Sequence, residues 1–269
     1  PHLLLNAQRR LLTPDVYRAH FVQFRSIQKD IYVQGQMATD VKLNILRNGA
    51  LRVTGRLVDA SNATLYAVSE LDGQEIVCIY KPKAGERPLW DFPDGCLAHR
   101  EFAAYVVSEH LGLHVVPLTV LRDGPYGHGM AQEWITIDES IDLAQFFSTD
   151  HPGLRTMSLF DAIINNTDRK IGHLLPINMD VVYGCDHGVT FHAEDKLRTV
   201  IWQFAGLPFN SNEISLLANV VAIDLVAVFA NYLTAVEIDA LQVRIKRLKA
   251  AAEFPLPSDA WPAVPWPPV

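Results

Sequence analysis

Residues 161–191 read DAIINNTDRKIGHLLPINMDVVYGCDHGVTF. Leu154, Met157, Phe160, Ile163 and Ile164 fall at helical spacing, so the stretch opens on the end of an amphipathic helix. A polar turn carrying Asp168-Arg169-Lys170 follows, then a short hairpin, and then Asp186-His187-Gly188. Two carboxylates are thereby set on two polar turns that one small hairpin joins.

An Asp-Arg turn at a helix end, followed by Asp-x-Gly after an apolar strand, is a layout suited to phosphoryl transfer. One aspartate faces an attacking hydroxyl and the other holds a metal on nucleotide phosphates. That chemistry calls for a lysine on the phosphates and a glutamate to orient it, both upstream. Between Ala50 and Lys83 the chain alternates in short runs, with Asp72-Gly73 as a hairpin signal. We expect three antiparallel strands, roughly 50–58, 64–71 and 74–81. Lys81 closes the third, and the loop GERPLWDFPDG leads to a helix, LAHREFAAYVVSEHLG, stopped by Gly112. Phe102, Tyr105 and Val106 are its expected core-facing stripe, and Glu101 lies beside them within reach of Lys81. A lysine at a strand end and a glutamate on a helix are, taken singly, ordinary surface residues; their order gives them interest.

The small-residue turn Asp59–Thr64 lets backbone N–H groups approach a phosphate. Two further strands are expected at about 115–122 and 129–136, the second a connector whose Gln132 to Trp134 backbone could face an adenine. The rest reads as helical. The run EISLLANVVAIDLVAVFANYL is apolar on nearly all sides and predicts one buried helix. Thr234 to Glu237 has capping-box form, with Ile238, Leu241, Ile245 and Leu248 on one face of a last helix. The Pro- and Trp-rich tail is incompatible with regular structure, and Trp261 and Trp266 are expected to pack back on the surface.

A chain of 269 residues with 49% hydrophobic content can bury a large core. Its net charge of -7 argues against an extended nucleic-acid surface. Cys78, Cys96 and Cys185 form no C-x-x-C pair, which fits a reducing cytoplasm. No secretory signal is visible, and Asn219, Asp224 and Asn231 interrupt the most apolar segment, so no membrane span is expected. Residues 1 to about 47 read as an extension, with a helix start at Thr13-Pro14-Asp15.

The blocks YKPKAGERPLWDFPDGCLAHREFAAYVVSEHLG, LFDAIINNTDRKIGHLL, DHGVTFH and KLRTVIWQFAG resemble the phosphatidylinositol 3-/4-kinase-like branch of the protein-kinase fold, and more specifically a group of small actinobacterial kinase-like proteins. The likeness covers roughly residues 50–269. It implies an α+β, two-lobed fold: an antiparallel-sheet N-lobe (48–136), a mainly helical C-lobe (137–269), and an active site between them. It also implies an ATP-dependent phosphotransferase using Mg²⁺ or Mn²⁺. Lys81 would contact the phosphates, Glu101 would hold it, and Asp168 in its Asp-Arg turn with Arg169 would be catalytic. Asp186 would bind the metal. Ser61, Asn62 and Thr64 would cover the phosphates, with Gln132 and Trp134 at the base. The acceptor would be a hydroxyl of a protein, a small molecule or a lipid.

Two positions depart from the pattern. His173 stands where these kinases place a metal-binding asparagine, so it is either a nitrogen ligand or a structural hydrogen bonder. The phosphate turn lacks glycine. Both features suit an alternative, a nucleotide-binding pseudokinase, and nucleotidyl transfer on the same fold is a second alternative. A metal-dependent hydrolase using His173, Asp186, His187 and His192 lacks a compact ligand motif.

Overall fold

The computed structural model describes residues 37–57, 62–93, 96–221 and 223–268. The chain divides between Lys42 and Leu43, and the second unit, Leu43–Val269, holds the sheet, the helical lobe and the cleft. The expected helix start at Thr13, and Ser61 of the phosphate turn, lie outside the described residues.

Helix α1 (Thr39–Asn48) leads into strands β1 (Ala50–Arg56), β2 (Leu65–Leu71) and β3 (Gln74–Pro82). The Asp72-Gly73 turn has positive φ at both residues, 52° and 76°, as a twist-matched two-residue hairpin requires. Strands β4 (Thr119–Gly124) and β5 (Gly127–Glu133) complete an antiparallel sheet in the order β1-β2-β3-β5-β4. The end of α1, just before the expected boundary at residue 47, is tied to this sheet. Ile45 and Leu46 are buried, Ser69 Oγ donates to Ile45 O (2.6 Å), and Arg122 donates to Leu46 O (2.6 Å) and Gly49 O (2.7 Å).

Helix α2 (Leu97–His110) lies between sheet and helical lobe. Its core-facing stripe differs from the expected one. Phe102 and Val106 are only half-buried, while Ala98, Arg100, Glu101, Ala104, Tyr105 and Ser108 are buried. Small and charged residues face inward because α2 packs closely on two sides and carries an ion pair on each. The Glu86 carboxylate caps its start, accepting from Leu97 N (3.0 Å) and Ala98 N (2.8 Å).

The helical part comprises α3 (Leu143–Phe147), α4 (Pro152–Ile164), α5 (Ser211–Val221), α6 (Leu225–Phe229) and α7 (Ala235–Ala251), with a small hairpin of β6 (Leu174–Pro176) and β7 (Val182–Gly184). The single buried helix expected over the apolar run is instead α5 and α6. Asp224 caps a new helix by accepting from Ala227 N (3.1 Å), and Ile214, Val221 and Val226 are exposed. Helix α7 has its capping box, and Ile238, Leu241, Ile245 and Leu248 are buried as expected. The tail packs back through Ala263, whose carbonyl accepts from Thr199 N (3.0 Å) and Trp202 Nε1 (2.9 Å). Trp266 does not pack back; it is 79% exposed. No helix among the described residues is long and apolar enough to cross a membrane.

Candidate active site

Four elements deliver the site: the end of β3, the middle of α2, the turn after α4 and the turn after β7. Lys81 Nζ donates to Glu101 Oε1 at 2.6 Å and also contacts Asp186 Oδ1. The other Glu101 oxygen accepts from His187 N at 2.8 Å. Glu101 is 2% exposed, so one buried carboxylate ties the strand to the Asp-His-Gly turn. Burial by itself would lower the Lys81 ammonium, but the Asp186 and Glu101 carboxylates more than offset this and raise it above its ordinary value. The Lys81 charge holds Asp186 well below the usual carboxylate range. Burial pushes Glu101 up, and Lys81 pulls it part of the way back.

Asp186 occupies the left-handed region at φ 61°, a conformation a non-glycine residue rarely adopts and one that gathers at functional sites. The next two residues hold it there. His187 is fully buried, its ring edge-on to Phe160 at 5.5 Å. At Gly188 a Cβ would lie 3.3 Å from Leu97 Cβ, a tight contact, so α2 and this turn run close together.

Asp168 follows α4, whose C-cap Asn165 is left-handed (φ 52°) and turns the chain out of the helix. Asn166 then braces the turn: its Oδ1 accepts from Asp168 N (3.0 Å) and its Nδ2 donates to Asp161 Oδ1 (3.0 Å). Lys170 Nζ lies 3.4 Å from Asp168 Oδ2. Burial raises Asp168, and the Asp186 charge adds to that, so the two carboxylates sense each other.

Arg169 is placed differently from the expected catalytic contact. It is 0% exposed and its guanidinium is bound to Asp161. It donates further to Cys185 O (3.0 Å) and to His187 Nε2 (2.7 Å). Arg169 therefore joins the two aspartate turns from beneath and does not reach the cleft. Neither Asp161 nor Asn166 was singled out by the sequence; the only signal was polar residues closing an otherwise apolar helix.

The expected phosphate and base contacts are largely engaged elsewhere. Asn62 Oδ1 accepts from Arg87 N (2.9 Å), Ala63 N donates to Gly85 O (3.2 Å), and Thr64 is buried. The described end of that turn thus rests on the segment after β3. The Gln132 side chain is buried and donates to Thr119 Oγ1 (2.9 Å). Glu133 N and Trp134 N donate to Leu118 O (2.8 Å) and Val77 O (2.9 Å), so these donors serve the sheet and are not offered to a base.

His173 is the second departure. Its Nδ1 accepts from Lys170 N (3.4 Å), which puts the ring proton on Nε2, 3.5 Å from Asp186 Oδ2. Burial lowers its pKa to about 4, with the neighbouring Asp186 charge acting against that shift. Among the described residues no group of three His, Cys, Asp or Glu side chains stands ready to hold an ion. Asp186 alone still fits Mg²⁺, which commonly takes one or two carboxylates and completes its shell with substrate phosphates and water.

A five-stranded antiparallel sheet followed by a mainly helical part, with this cleft between them, is a protein-kinase-like fold. The crystal structure of the Golgi casein kinase matches it with a TM-score of 0.52 at 12% identity, covering 94% of this chain and 89% of that one. The Helicobacter pylori proinflammatory kinase CtkA aligns at a TM-score of 0.45 and 11% identity, over 77% of this chain and 94% of that one. By sequence, the chain belongs to the family of Protein Rv2133c of Mycobacterium tuberculosis, with 40% identity over 261 residues, covering 83% of this chain and 94% of that protein. No family model matches the chain.

Proposed function

We propose that the chain is an ATP-dependent phosphotransferase that moves the γ-phosphoryl group to a hydroxyl acceptor. The observation that carries this reading is the double engagement of Lys81 with Glu101 (2.6 Å) and Asp186, closed by Glu101 on the His187 N–H (2.8 Å). Kinase chemistry needs the strand lysine, the helix glutamate and the metal-binding aspartate in register at once. Elements distant in sequence have no packing reason to bring three ionised groups together in one half-open cleft.

In this reading Lys81 neutralises the nucleotide phosphates and Glu101 fixes its position. Asp186 would hold Mg²⁺, whose contribution when bound is to neutralise charge on the phosphates. Asp168 accepts the proton of the acceptor hydroxyl, and its raised pKa makes it a better base than a surface carboxylate. Lys170, 3.4 Å from Asp168, adds a cation on the acceptor side. Arg169 and His173 position the two aspartates. The acceptor class is an alcohol, with the lipid-kinase-like resemblance adding inositol lipids to protein and small-molecule hydroxyls as acceptors to screen.

Thermal-shift measurements with ATP and Mg²⁺ or Mn²⁺ test the reading. Wild type should be stabilised by ATP only with a divalent cation, and Asp186→Ala should lose that response. No shift with either cation would overturn the proposal.

A further inference from the structure

Helix α2 carries a second buried ion pair one residue from Glu101. Arg100 donates from Nε to Glu237 Oε1 at 3.0 Å, and its Nη2 contacts the same oxygen. Arg100 is 2% and Glu237 7% exposed. Glu237 is not a loose surface carboxylate. Its other oxygen accepts from Thr234 N (2.8 Å) and Thr234 Oγ1 (3.0 Å), so it is already fixed as the cap of α7. The Arg100 guanidinium also lies over the Phe92 ring, 4.9 Å from its centre, and Phe92 meets the His192 ring edge-on at 5.2 Å. One residue earlier, Asp91 is bound to Lys196, again in the helical part.

Successive helix residues point about 100° apart. Glu101 therefore faces Lys81 and His187 while Arg100 faces α7. A rotation or outward slide of α2 that released Glu101 would also have to pull a buried guanidinium off a carboxylate that cannot follow, because it is tied to Thr234. The helix is pinned at its start as well, by Glu86 on Leu97 N and Ala98 N.

We infer that Arg100 and Glu237 are positioning residues that lock α2 to α7 and so keep Glu101 on Lys81 and on the His187 N–H, making the assembled cleft a standing feature of the fold and not one switched on by movement of α2. The consequence for nucleotide chemistry rests on the phosphotransferase reading; the lock itself does not.

Amide hydrogen exchange of the protein without nucleotide is the test, because the His187 N–H reports directly on Glu101. In Arg100→Met, which keeps the aliphatic stem, exchange in the segment Cys185–Gly188 should accelerate about tenfold or more, while amides of the β2–β3 ladder keep their wild-type protection. Arg100→Lys should restore part of it. Should Arg100→Met fail to fold, Glu237→Gln, which retains an acceptor for Thr234, supplies the same readout. Wild-type protection at Cys185–Gly188 in a destabilised Arg100→Met would show that the pair only stabilises the fold, and would overturn the inference. The thermal shift of wild type with ATP and Mg²⁺ is measured beside it. Its absence would end the phosphotransferase reading, while exchange at His187 would still decide the lock.

Discussion

Arg169 and Asp161 form a fully buried ion pair, both side chains 0% exposed, with Nε 2.9 Å from Oδ2 and Nη2 2.9 Å from Oδ1. The guanidinium also donates to Cys185 O (3.0 Å), so one pair links α4 to both aspartate turns. Removing one partner leaves a charge in the core. Asp161→Ala should therefore lose about 3–5 kcal/mol of stability, read as a lower urea midpoint. The double change Asp161→Leu with Arg169→Met should regain much of that stability without regaining function, since the bonds to Cys185 and His187 are gone.

The two site aspartates should fail in different ways. Asp186 is engaged by Lys81 and would hold the metal on the nucleotide, so Asp186→Ala loses both ATP-dependent stabilisation and phosphate transfer. Asp168 sits beside Lys170 and, in the phosphotransferase reading, would act only on the acceptor. Asp168→Asn should keep the ATP and Mg²⁺ thermal shift while transfer of labelled phosphate falls by roughly 10²–10⁴-fold. Equal loss of binding in both variants would remove the division of roles.

The sheet lobe was legible because its signals are local. The Asp72-Gly73 turn fixes the β2–β3 register, which runs from Leu71 opposite Gln74 to Leu65 opposite Tyr80 and leaves Lys81 just past it. Lys81, Glu101 and Asp186 were legible by order along the chain, which a resemblance can carry. What stayed hidden depends on partners far apart in sequence. Helix α2 reads as an ordinary amphipathic helix with Phe102 inward, yet it buries Arg100, whose partner Glu237 no helical period can reveal. Arg169 likewise reads as a cleft residue until Asp161, one turn before the end of α4, is seen beneath it. The split between α5 and α6 is not legible from hydropathy, because Asp224 reads as one polar residue in an apolar run when it is a cap.

Gly129 marks where the sheet is tightest around the site lysine. A Cβ there would lie 2.3 Å from Lys81 O and 2.7 Å from Pro82 Cα, both backbone atoms that can yield only by parting β3 from β5. Gly129→Ala should cost about 1–3 kcal/mol and weaken the ATP-dependent shift along with it. Gly55→Ala, whose nearest neighbour would be 3.9 Å away at Tyr66 Cβ, is the control and should leave that shift unchanged.

The two tail tryptophans should behave oppositely. Lys196 is 4% exposed, and its ammonium lies 4.1 Å from the centre of the Trp261 ring while also paired with Asp91. Trp261→Ala should lower stability by about 1–2 kcal/mol through loss of that desolvated cation–π contact. Trp266 is 79% exposed, so Trp266→Ala should fall within about 0.5 kcal/mol of wild type. Chemical denaturation of the two variants side by side checks the contrast.

Acid should destabilise the fold before its carboxylates begin to titrate. Burial lowers the pKa of His173 to about 4 from the ordinary 6.5, and burial beside Arg169 holds His187 well below its ordinary value too. Between those limits the unfolded chain binds protons on these rings that the folded chain refuses, so stability falls as pH drops from about 6.5 toward 4. Asp186 works lower: its depressed pKa means its contribution is lost only as pH falls below the usual carboxylate range, near 3.9. Asp168 has the opposite sign, since burial raises it, and it favours the folded state slightly as pH falls through that range. Urea unfolding in EDTA at a series of pH values should therefore show a slope already present between pH 6.5 and 4. His173→Gln should flatten it, with a difference at the acid end of up to ~3 kcal/mol. An unchanged slope in His173→Gln would mean that this ring titrates alike in the folded and unfolded chains, and a steeper slope that it is held protonated beside Asp186 in the folded protein.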